Sequence, residues 1–373
     1  MPVNPWREIP PHSSLGVYTE HGLTPTLLSD FLSAASEAGC TMVYDPFVGS
    51  GVVVTYFQEK CIESAGADSN PWSLLLSRAK TLPLDWGAVR LWAERVEGEV
   101  GEFEPIVPSP RLARYHDARV LEDLGRLRAL IEEAPGEWKP LLLAVLVRVA
   151  YRWSRLKRSP APRFKDASQA SGNVRLDFFS LLNKAISELE ARRFCASVAL
   201  FQADSSSWIP TRLCGVVTSP PFANNIDYIR HTMLELLWSG LARHSEDLGR
   251  LRSAQIPACE AAARTWKESS QHQWLRDLAS RIGGSRAPGF KKFMLQYFHA
   301  MESHFSLISD SLEWEAWYTI GDSVLGGVYI PTHSILARLA EKSGLRASVK
   351  LLGPRMKRGR TLYLLRLAPQ RKR

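Results

Sequence analysis

The chain has 373 residues, of which 45% are hydrophobic, so it can bury a sizeable core in one large domain or in a core domain with insertions. No run of eighteen apolar residues occurs, which argues against a membrane-spanning helix, and the first residues lack the pattern of a secretion signal, so we expect a cytoplasmic protein. The net charge of +9 and the pI of about 9.4 favour polyanionic partners.

The five cysteines are scattered along the sequence without a Cys-x-x-Cys pair: Cys40, Cys61, Cys195, Cys214 and Cys259. This spacing predicts reduced, mostly buried thiols. It argues against both a zinc site and a disulfide framework, so we expect no metal.

The first helix is predicted to begin after an irregular arm, residues 1–22, that is rich in Pro, Gly, Ser and His. Thr24 can cap this helix, with Pro25 at the first helical position. A strand over residues 42–45 follows and ends in Asp45.

A Gly-x-Gly turn at Gly49 and Gly51 separates this strand from a helix predicted over residues 52–60. Two glycines let the backbone approach a ligand, and the helix directs its first N–H groups at the same place. The third glycine of the dinucleotide fingerprint is missing. Asp45 would be unfavourable beside a pyrophosphate but suits a cationic ligand.

A second strand, over residues 64–68, ends in Asp68. It lies about twenty residues beyond the glycine turn, the spacing at which an acidic residue binds ribose hydroxyls in nucleotide-binding α/β folds. The alternative is that Asp68 caps the helix that starts near Pro71.

Residues 85–193 are predominantly helical in pattern, and a long apolar helix over 138–156 ends in a basic run. Arg148, Arg152 and Arg155 recur at helical spacing, so we expect them to share one helix face that suits phosphates. Lys157 and Arg158 extend the run. The alternative interpretation is a solvated, charged face.

Two further strands are predicted at residues 196–201 and 213–217, the first followed by Asp204, which alternatively only caps a turn. The second strand must stop at Ser219, because the two prolines that follow have no N–H to donate to a sheet ladder. Ligands bind at the carboxyl ends of strands in open α/β sheets, so this stretch is predicted to lie at the site. The alternative is a Pro-rich loop with a buried Phe.

The remaining pattern predicts a helix over 231–241, a polar helical segment over 243–290, an amphipathic helix over 291–308, a strand over 314–320 and a helix over 331–344. A terminal hairpin is predicted, with strands over 349–352 and 361–365. Its turn is basic and we expect it at a sheet edge beside the site; the basic residues are Arg355, Lys357, Arg358 and Arg360.

Three motifs carry a resemblance to a known family: Asp45-Pro46-Phe47-Val48-Gly49-Ser50-Gly51, Gly66-Ala67-Asp68-Ser69-Asn70-Pro71 and Thr218-Ser219-Pro220-Pro221-Phe222. In this order they resemble the amino-methyltransferases that use S-adenosylmethionine, in particular the DNA N4-cytosine and N6-adenine enzymes. With weaker similarity near both termini, the resemblance covers about half of the chain. It implies an α/β fold, a Rossmann-like methyltransferase sheet with helices on both faces, a terminal antiparallel hairpin and helical insertions.

The resemblance also implies roles for individual residues. S-adenosylmethionine would be bound by Asp45, Pro46, Phe47, Gly49, Ser50, Gly51, Asp68, Ser69, Asn70, Asp204 and Thr24. Within this set, Asp204 would receive the adenine amino group and Thr24 would lie against the methionine end. The catalytic residues would be Ser219, Pro220, Pro221 and Phe222, and the arginines and lysines of the two basic segments would contact DNA.

The chemistry of an exocyclic amino group explains the Ser-Pro-Pro-Phe stretch. Its nitrogen is a poor nucleophile because its lone pair is delocalised into the base. The Ser219 hydroxyl and the Pro220 carbonyl can accept hydrogen bonds from the two N–H groups of this nitrogen, and the prolines fix that carbonyl in place. Phe222 can stack on a base swung out of its helix.

Serine at the first motif position is commoner for N4-cytosine products in the resembling enzymes, so we predict a DNA N4-cytosine methyltransferase. The alternatives are an N6-adenine DNA enzyme, an RNA enzyme acting on cytosine N4 or guanine N2, and a non-catalytic nucleic-acid-binding protein on a relic fold. The predicted organisation is an arm and cofactor-binding half (1–84), a helical insertion (85–193), a catalytic half (194–242), a second helical insertion that is a candidate for target recognition (243–290), and the C-terminal part of the core with its hairpin (291–373).

Overall fold

The structure, a computed structural model, describes residues 13–16, 23–157, 163–164, 172–354 and 361–370. Its helices are α1 (Pro25–Glu37), α2 (Val52–Glu59), α3 (Pro71–Thr81), α4 (Trp86–Val96), α5 (Ala118–Glu133), α6 (Lys139–Arg152), α7 (Val174–Glu190), α8 (Tyr228–His231), α9 (Met233–Trp238), α10 (Ser245–Ser253), α11 (Glu260–Ala263), α12 (Gln273–Ser280), α13 (Ala287–Ser311) and α14 (Thr332–Lys342). Its strands are β1 (Met42–Asp45), β2 (Glu63–Asp68), β3 (Leu156–Lys157), β4 (Arg163–Phe164), β5 (Val198–Gln202), β6 (Leu213–Thr218), β7 (Leu312–Gly321), β8 (Ser323–Leu325), β9 (Val328–Ile330), β10 (Leu345–Pro354) and β11 (Thr361–Pro369).

A seven-stranded sheet in the order β10-β11-β7-β6-β1-β2-β5 forms the centre of the molecule. The five strands from β7 to β5 are mutually parallel. β11 is antiparallel to both β7 and β10, so the chain ends in an antiparallel hairpin at one edge of the sheet. The predicted α/β class, the mostly parallel sheet and the terminal hairpin are confirmed, and the architecture is consistent with a Rossmann-like fold.

Helices cover both faces of this sheet because successive side chains of a strand point to opposite faces. Val43 of β1 and Val217 of β6 pack with α1 and α2 in one hydrophobic cluster. Their neighbours Tyr44 and Val216 pack with α13 and α14 in another. β1 and β6 are therefore buried on both sides, as expected for parallel strands in the middle of a sheet.

The two segments predicted to be helical insertions form helical layers outside these faces. α5, α6 and α7 share one hydrophobic core with α3 and α9. In the second segment, α11 and α12 pack on α13, and α10 packs on α8 and α11. No helix within the described ranges is long and apolar enough to cross a membrane.

The cysteine prediction is wrong, because the structure pairs Cys40 with Cys214 and Cys61 with Cys195 as disulfides and leaves Cys259 as a buried thiol. Both pairs join residues more than a hundred positions apart in the sequence. Linear spacing does not show such pairs, because parallel pairing of β1 with β6 and of β2 with β5 brings them together.

Candidate functional site

The order of the strands changes direction at β1. β2 and β5 follow it on one side, whereas β6 and β7 lie on the other side. In an open α/β sheet, ligands bind in the crevice outside the carboxyl ends of the two strands at such a switch point. The candidate site therefore lies where β1 ends at Asp45 and β6 ends at Thr218.

Asp45 joins these two strand ends. Its Oδ1 accepts hydrogen bonds from the Thr218 hydroxyl at 2.5 Å and from the Phe47 N–H at 3.0 Å. Burial raises the pKa of Asp45 to about 7, although both hydrogen bonds oppose this shift, and the nearby Asp68 carboxylate adds to it. The crevice therefore holds a carboxyl group that changes charge near neutral pH.

The predicted glycine turn is present, and its two glycines serve different purposes. Gly49 and Gly51 both have positive φ, +50° and +79°, which favours glycine. A Cβ at Gly51 would lie 2.8 Å from the Ser77 Oγ of α3, whereas a Cβ at Gly49 would meet only the Phe47 carbonyl oxygen, at 3.7 Å. Gly51 thus allows close packing of α2 on α3, and Gly49 leaves space open.

Asp68, at the end of β2, is tied to the same turn. It accepts hydrogen bonds from the Gly49 N–H at 3.0 Å and from the Asn70 N–H at 2.8 Å. Burial raises its pKa, and these hydrogen bonds together with one from Ser73 oppose the rise. Asn70, not Asp68, caps α3, since its side chain accepts from the Trp72 N–H at 3.1 Å. The capping alternative for Asp68 is therefore wrong.

A buried lysine that the sequence analysis missed supports the turn from behind. Lys80 Nζ donates to the Ser50 carbonyl at 2.7 Å and to the Gly16 carbonyl at 2.8 Å. Burial lowers its pKa to about 7, and the positive charges of Arg192 and Arg148 lower it further. The sequence did carry a signal: Lys80 stands four residues after the buried Leu76 of α3, on the inward face.

The Ser-Pro-Pro-Phe stretch follows β6 directly, as predicted, and tyrosines hold it from two sides. The buried Tyr297 of α13 donates its hydroxyl to the Pro221 carbonyl at 2.9 Å, and burial raises the pKa of this phenol, so it stays a donor. The Phe222 N–H donates to the Tyr228 hydroxyl at 3.4 Å. Among the described residues, no group donates a hydrogen bond to the Pro220 carbonyl.

Phe222 lies within the core, although a ring that stacks on a swung-out base has to be accessible. Its side chain is only 3% exposed, whereas Ser219 is half-buried. The alternative of a Pro-rich loop with a buried Phe therefore describes the local packing. Truncation of a buried Phe to Ala costs about 3–5 kcal/mol of stability, so this residue contributes to the fold.

The other predicted cofactor residues lie at or near the same edge of the sheet. Pro46 is buried and Phe47 half-buried directly after β1, and Ser69 follows β2. Thr24 is buried and caps α1, accepting from the Leu27 N–H at 3.3 Å. The carboxyl end of α1 is only a few residues from the amino end of β1. The amino end of α1, which Thr24 caps, therefore lies toward the carboxyl edge of the sheet.

Asp204, after β5, makes the turn contacts that the alternative interpretation predicts. Its Oδ1 accepts from the Ser206 N–H at 3.0 Å and from the Ser206 hydroxyl at 2.9 Å. Burial raises its pKa, against these hydrogen bonds. β5 is the outermost parallel strand, two strands away from Asp45.

The basic residues of the first insertion do not share one helix face. α6 ends at Arg152, so Arg155 lies beyond the helix, which corrects that prediction. Arg152 pairs with Asp177 at 3.1 Å, and Arg155 pairs with Asp117. Arg148, on α6, and Lys157, in β3, lie at exposed positions. Arg158 and the basic turn of the terminal hairpin (Arg355, Lys357, Arg358 and Arg360) lie outside the described residues.

A second polar cluster at this edge follows β7 and was missed by the sequence analysis. Asp322 is buried, its Oδ1 lies 2.8 Å from His333 Nδ1, and the Tyr329 hydroxyl donates to its other oxygen. The His333 ring stacks on Tyr363 of β11 with centroids 3.8 Å apart. The available signal was an acidic residue at the carboxyl end of a strand.

In the parts of the chain that are described, no group of three His, Cys, Asp or Glu side chains is arranged to hold a metal ion.

No protein-family model matches the chain, and no curated protein matches it significantly.

Proposed function

We propose that this protein transfers a methyl group from S-adenosylmethionine to an exocyclic amino group of a base in DNA, with cytosine N4 as the favoured acceptor. One observation carries the proposal. The glycine turn, Asp68 and the Ser-Pro-Pro-Phe stretch, which are far apart in the sequence, all lie at the carboxyl ends of adjacent parallel strands around the switch point.

The residues around the switch point fit the cofactor. Gly49 has open space where a Cβ would stand. A carboxylate offers about four lone-pair positions, and Asp68 uses three of them for the Gly49 N–H, the Asn70 N–H and the Ser73 side chain, so one remains for a ribose hydroxyl. Asp45 provides a carboxylate close to the turn, and a nearby cation would favour its ionised form. When bound, S-adenosylmethionine supplies an electrophilic methyl group.

The chain itself orients the acceptor nitrogen. The Ser219 hydroxyl and the Pro220 carbonyl accept hydrogen bonds from the two N–H groups of the amino group. These hydrogen bonds rehybridise the nitrogen and direct its lone pair toward the methyl group. Because Tyr297 holds the next carbonyl, that of Pro221, the turn is fixed before the substrate arrives. Stacking of the target base on Phe222 stays a prediction that requires the residues covering this ring to move on binding.

The test is transfer of a tritiated methyl group to long unmodified DNA or to RNA, followed by digestion to nucleosides. We expect label in N4-methylcytosine from DNA. Ser219→Ala is the matched variant: the side chain is half-buried, so the fold and the calorimetric affinity for the cofactor should stay, while transfer is lost.

Each other outcome contradicts a defined part of the proposal. Label in N6-methyladenine would move the acceptor to adenine, and label in RNA alone would move the substrate class. Cofactor binding without transfer to either polymer would identify a non-catalytic relic fold.

A further inference from the structure

A cavity of about 340 Å³ opens beside α8, outside the site described above. We call it the arginine pocket and define it by Arg111, Arg230, Arg252, Tyr115, Phe164 and Ser245. These residues come from four separate parts of the chain: the turn before α5, the β3–β4 hairpin, α8, and α10. The sequence analysis singled out none of them.

The charges of the arginine pocket are largely uncompensated. Arg252 Nε donates to Asp227 at 3.0 Å, and Asp227 is the one carboxylate bound to these arginines in the described residues. Arg111 donates to the Ser245 hydroxyl, and its Nε is buried without a hydrogen-bond partner in the described structure. Arg111 and Arg230 form no ion pair with any described carboxylate. A guanidinium fork with free N–H groups matches a phosphate.

Aromatic rings form another wall of the arginine pocket. Tyr115 and Phe164 are stacked, with centroids 5.5 Å apart and planes 18° apart. Phe164 is 55% exposed, which is unusual for a large apolar ring, while Tyr115 is buried. Cationic groups beside an exposed ring form the combination that binds single nucleotides of a strand, since phosphate meets the cations and a base stacks on the ring.

The arginine pocket is connected to the Ser-Pro-Pro-Phe stretch through α8. Asp227 caps this helix, accepting from the Arg230 N–H at 3.0 Å, and also holds Arg252. The next residue, Tyr228, accepts from the Phe222 N–H at 3.4 Å. A ligand in the arginine pocket therefore contacts the helix that directly adjoins the catalytic stretch.

We propose that the arginine pocket binds a phosphate and a neighbouring unstacked nucleotide of the DNA strand whose base is methylated. This proposal rests on the proposed function. Arg111 and Arg230 contact the phosphate, and the exposed face of Phe164 stacks on the base beside the flipped one. An acidic peptide would satisfy the arginines, but it would not account for the exposed stacked ring.

The experiment measures binding of fluorescent oligonucleotides by anisotropy across a salt series, with duplex DNA, single-stranded DNA and RNA of equal length. The test variants are Arg230→Gln, Arg111→Gln with Arg230→Gln, and Phe164→Ala. Arg230 and Phe164 are exposed, and Arg111 is half-buried in the lining of the pocket, so these changes leave the hydrophobic core intact. Arg212→Gln is the control, because Arg212 is 83% exposed and precedes the amino end of β6, at the opposite edge of the sheet.

We expect the double arginine variant to reduce the slope of log K against log salt by about one, because both arginines contact the same phosphate. Phe164→Ala should weaken binding of single-stranded DNA by roughly fivefold to a hundredfold, the range for the loss of one base stack. Arg212→Gln should bind as the wild type does, and cofactor affinity should be equal in all proteins.

Wild-type DNA affinity and salt slope in all test variants would overturn the proposal while leaving methyl transfer untouched. Weaker binding to RNA but not to DNA would overturn the assignment to DNA. A third outcome separates the two proposals. If the wild-type protein transfers no methyl group, but the pocket variants bind DNA more weakly than it does, the proposed function is refuted and the arginine pocket is supported as a DNA site.

Discussion

At the scale of single residues, Asp68 gives the sharpest test of cofactor binding. Its carboxylate already orders the glycine turn through the Gly49 N–H and retains about one lone pair for a ribose hydroxyl. We expect Asp68→Ala to weaken S-adenosylmethionine binding by about 1.5–3 kcal/mol, the range for hydrogen bonds to a charged group. Calorimetric titration measures this directly.

Asp85→Ala provides the matched control for that variant. Asp85 caps α4, accepting from the Ala88 N–H at 2.9 Å, so its removal destabilises a helix end by about 1 kcal/mol without touching the glycine turn. Wild-type cofactor affinity in Asp68→Ala, or an equal decrease in both variants, would remove Asp68 from the cofactor site.

We predict that Asp45 makes cofactor binding and stability respond to pH in opposite directions. Because burial raises its pKa to about 7, the folded protein keeps a proton between about pH 4 and 7 that the unfolded chain releases. The contribution of Asp45 to stability therefore falls as pH rises through this window. The affinity for a cationic cofactor should instead rise as pH increases through about 7, since the carboxylate becomes charged.

Cofactor titrations between pH 6 and pH 8 test this behaviour. Asp45→Asn keeps an oxygen that accepts from Thr218 and from the Phe47 N–H but carries no charge at any pH. We expect this variant to bind weakly and with a flat pH profile. A profile in Asp45→Asn as steep as that of the wild type would assign the titration to another group, with Lys80 as the next candidate.

At the scale of elements, the glycine turn offers two substitutions with separable effects. Gly51→Ala places a Cβ on a residue with left-handed φ and brings that Cβ within 2.8 Å of the Ser77 Oγ. The variant should therefore lower the free energy of unfolding by more than the ~1–2 kcal/mol that a left-handed residue costs alone. Ala at Gly49 meets only the φ penalty and should mainly reduce cofactor affinity. Denaturant unfolding and calorimetry of both variants measure the two effects.

Equal stability decreases in the two glycine variants would contradict this division of roles. The double variant Gly51→Ala with Ser77→Ala refines the test, since it removes the contact with the hydroxyl but not the φ penalty. Stability should recover in part.

The sequence pattern was sufficient to predict the bounds of helices and strands that are marked by strong local signals. β1, α2 and β6 were predicted within one residue, because Pro46 follows β1, Gly51 precedes α2, and Pro220 stands shortly after β6. The β3–β4 and β8–β9 hairpins were missed, since strands of two or three residues show no periodicity. α6 was predicted too long because the basic run continues its spacing past Arg152.

The sequence predicted the part of the candidate site that depends on local signals, but not the part that depends on contacts between distant elements. The sequence located Asp45, Asp68 and the prolines at strand ends, because carboxyl ends of parallel strands share one edge. It missed the Asp322 cluster, the cysteine pairs and the partners of Arg152 and Arg155, which depend on which elements meet in three dimensions. Burial of Phe222 depends on packing that no local pattern encodes.

At the scale of the whole molecule, the net charge of +9 is expected to act through the face that carries the site. Pro354 and Thr361 pair beside the carboxyl end of β7. The basic residues between them lie outside the described residues. The exposed Lys157 follows Leu156, which lines the arginine pocket. Lys157 therefore adjoins the arginine pocket.

We therefore predict that charge removal on this face weakens binding to all DNA sequences alike, because phosphate contacts carry no sequence information. Arg152→Ala with Lys157→Ala should reduce the salt slope by about one unit for each phosphate that is no longer neutralised. Arg152 already pairs with Asp177 at 3.1 Å, so Lys157→Ala alone should account for most of the change. A salt titration of DNA binding, with Arg212→Ala as the control at the opposite edge, measures both slopes. Equal slopes in the test and control variants would mean that the insertion presents only a solvated surface, and that DNA affinity arises in the arginine pocket or in the helices of the second insertion.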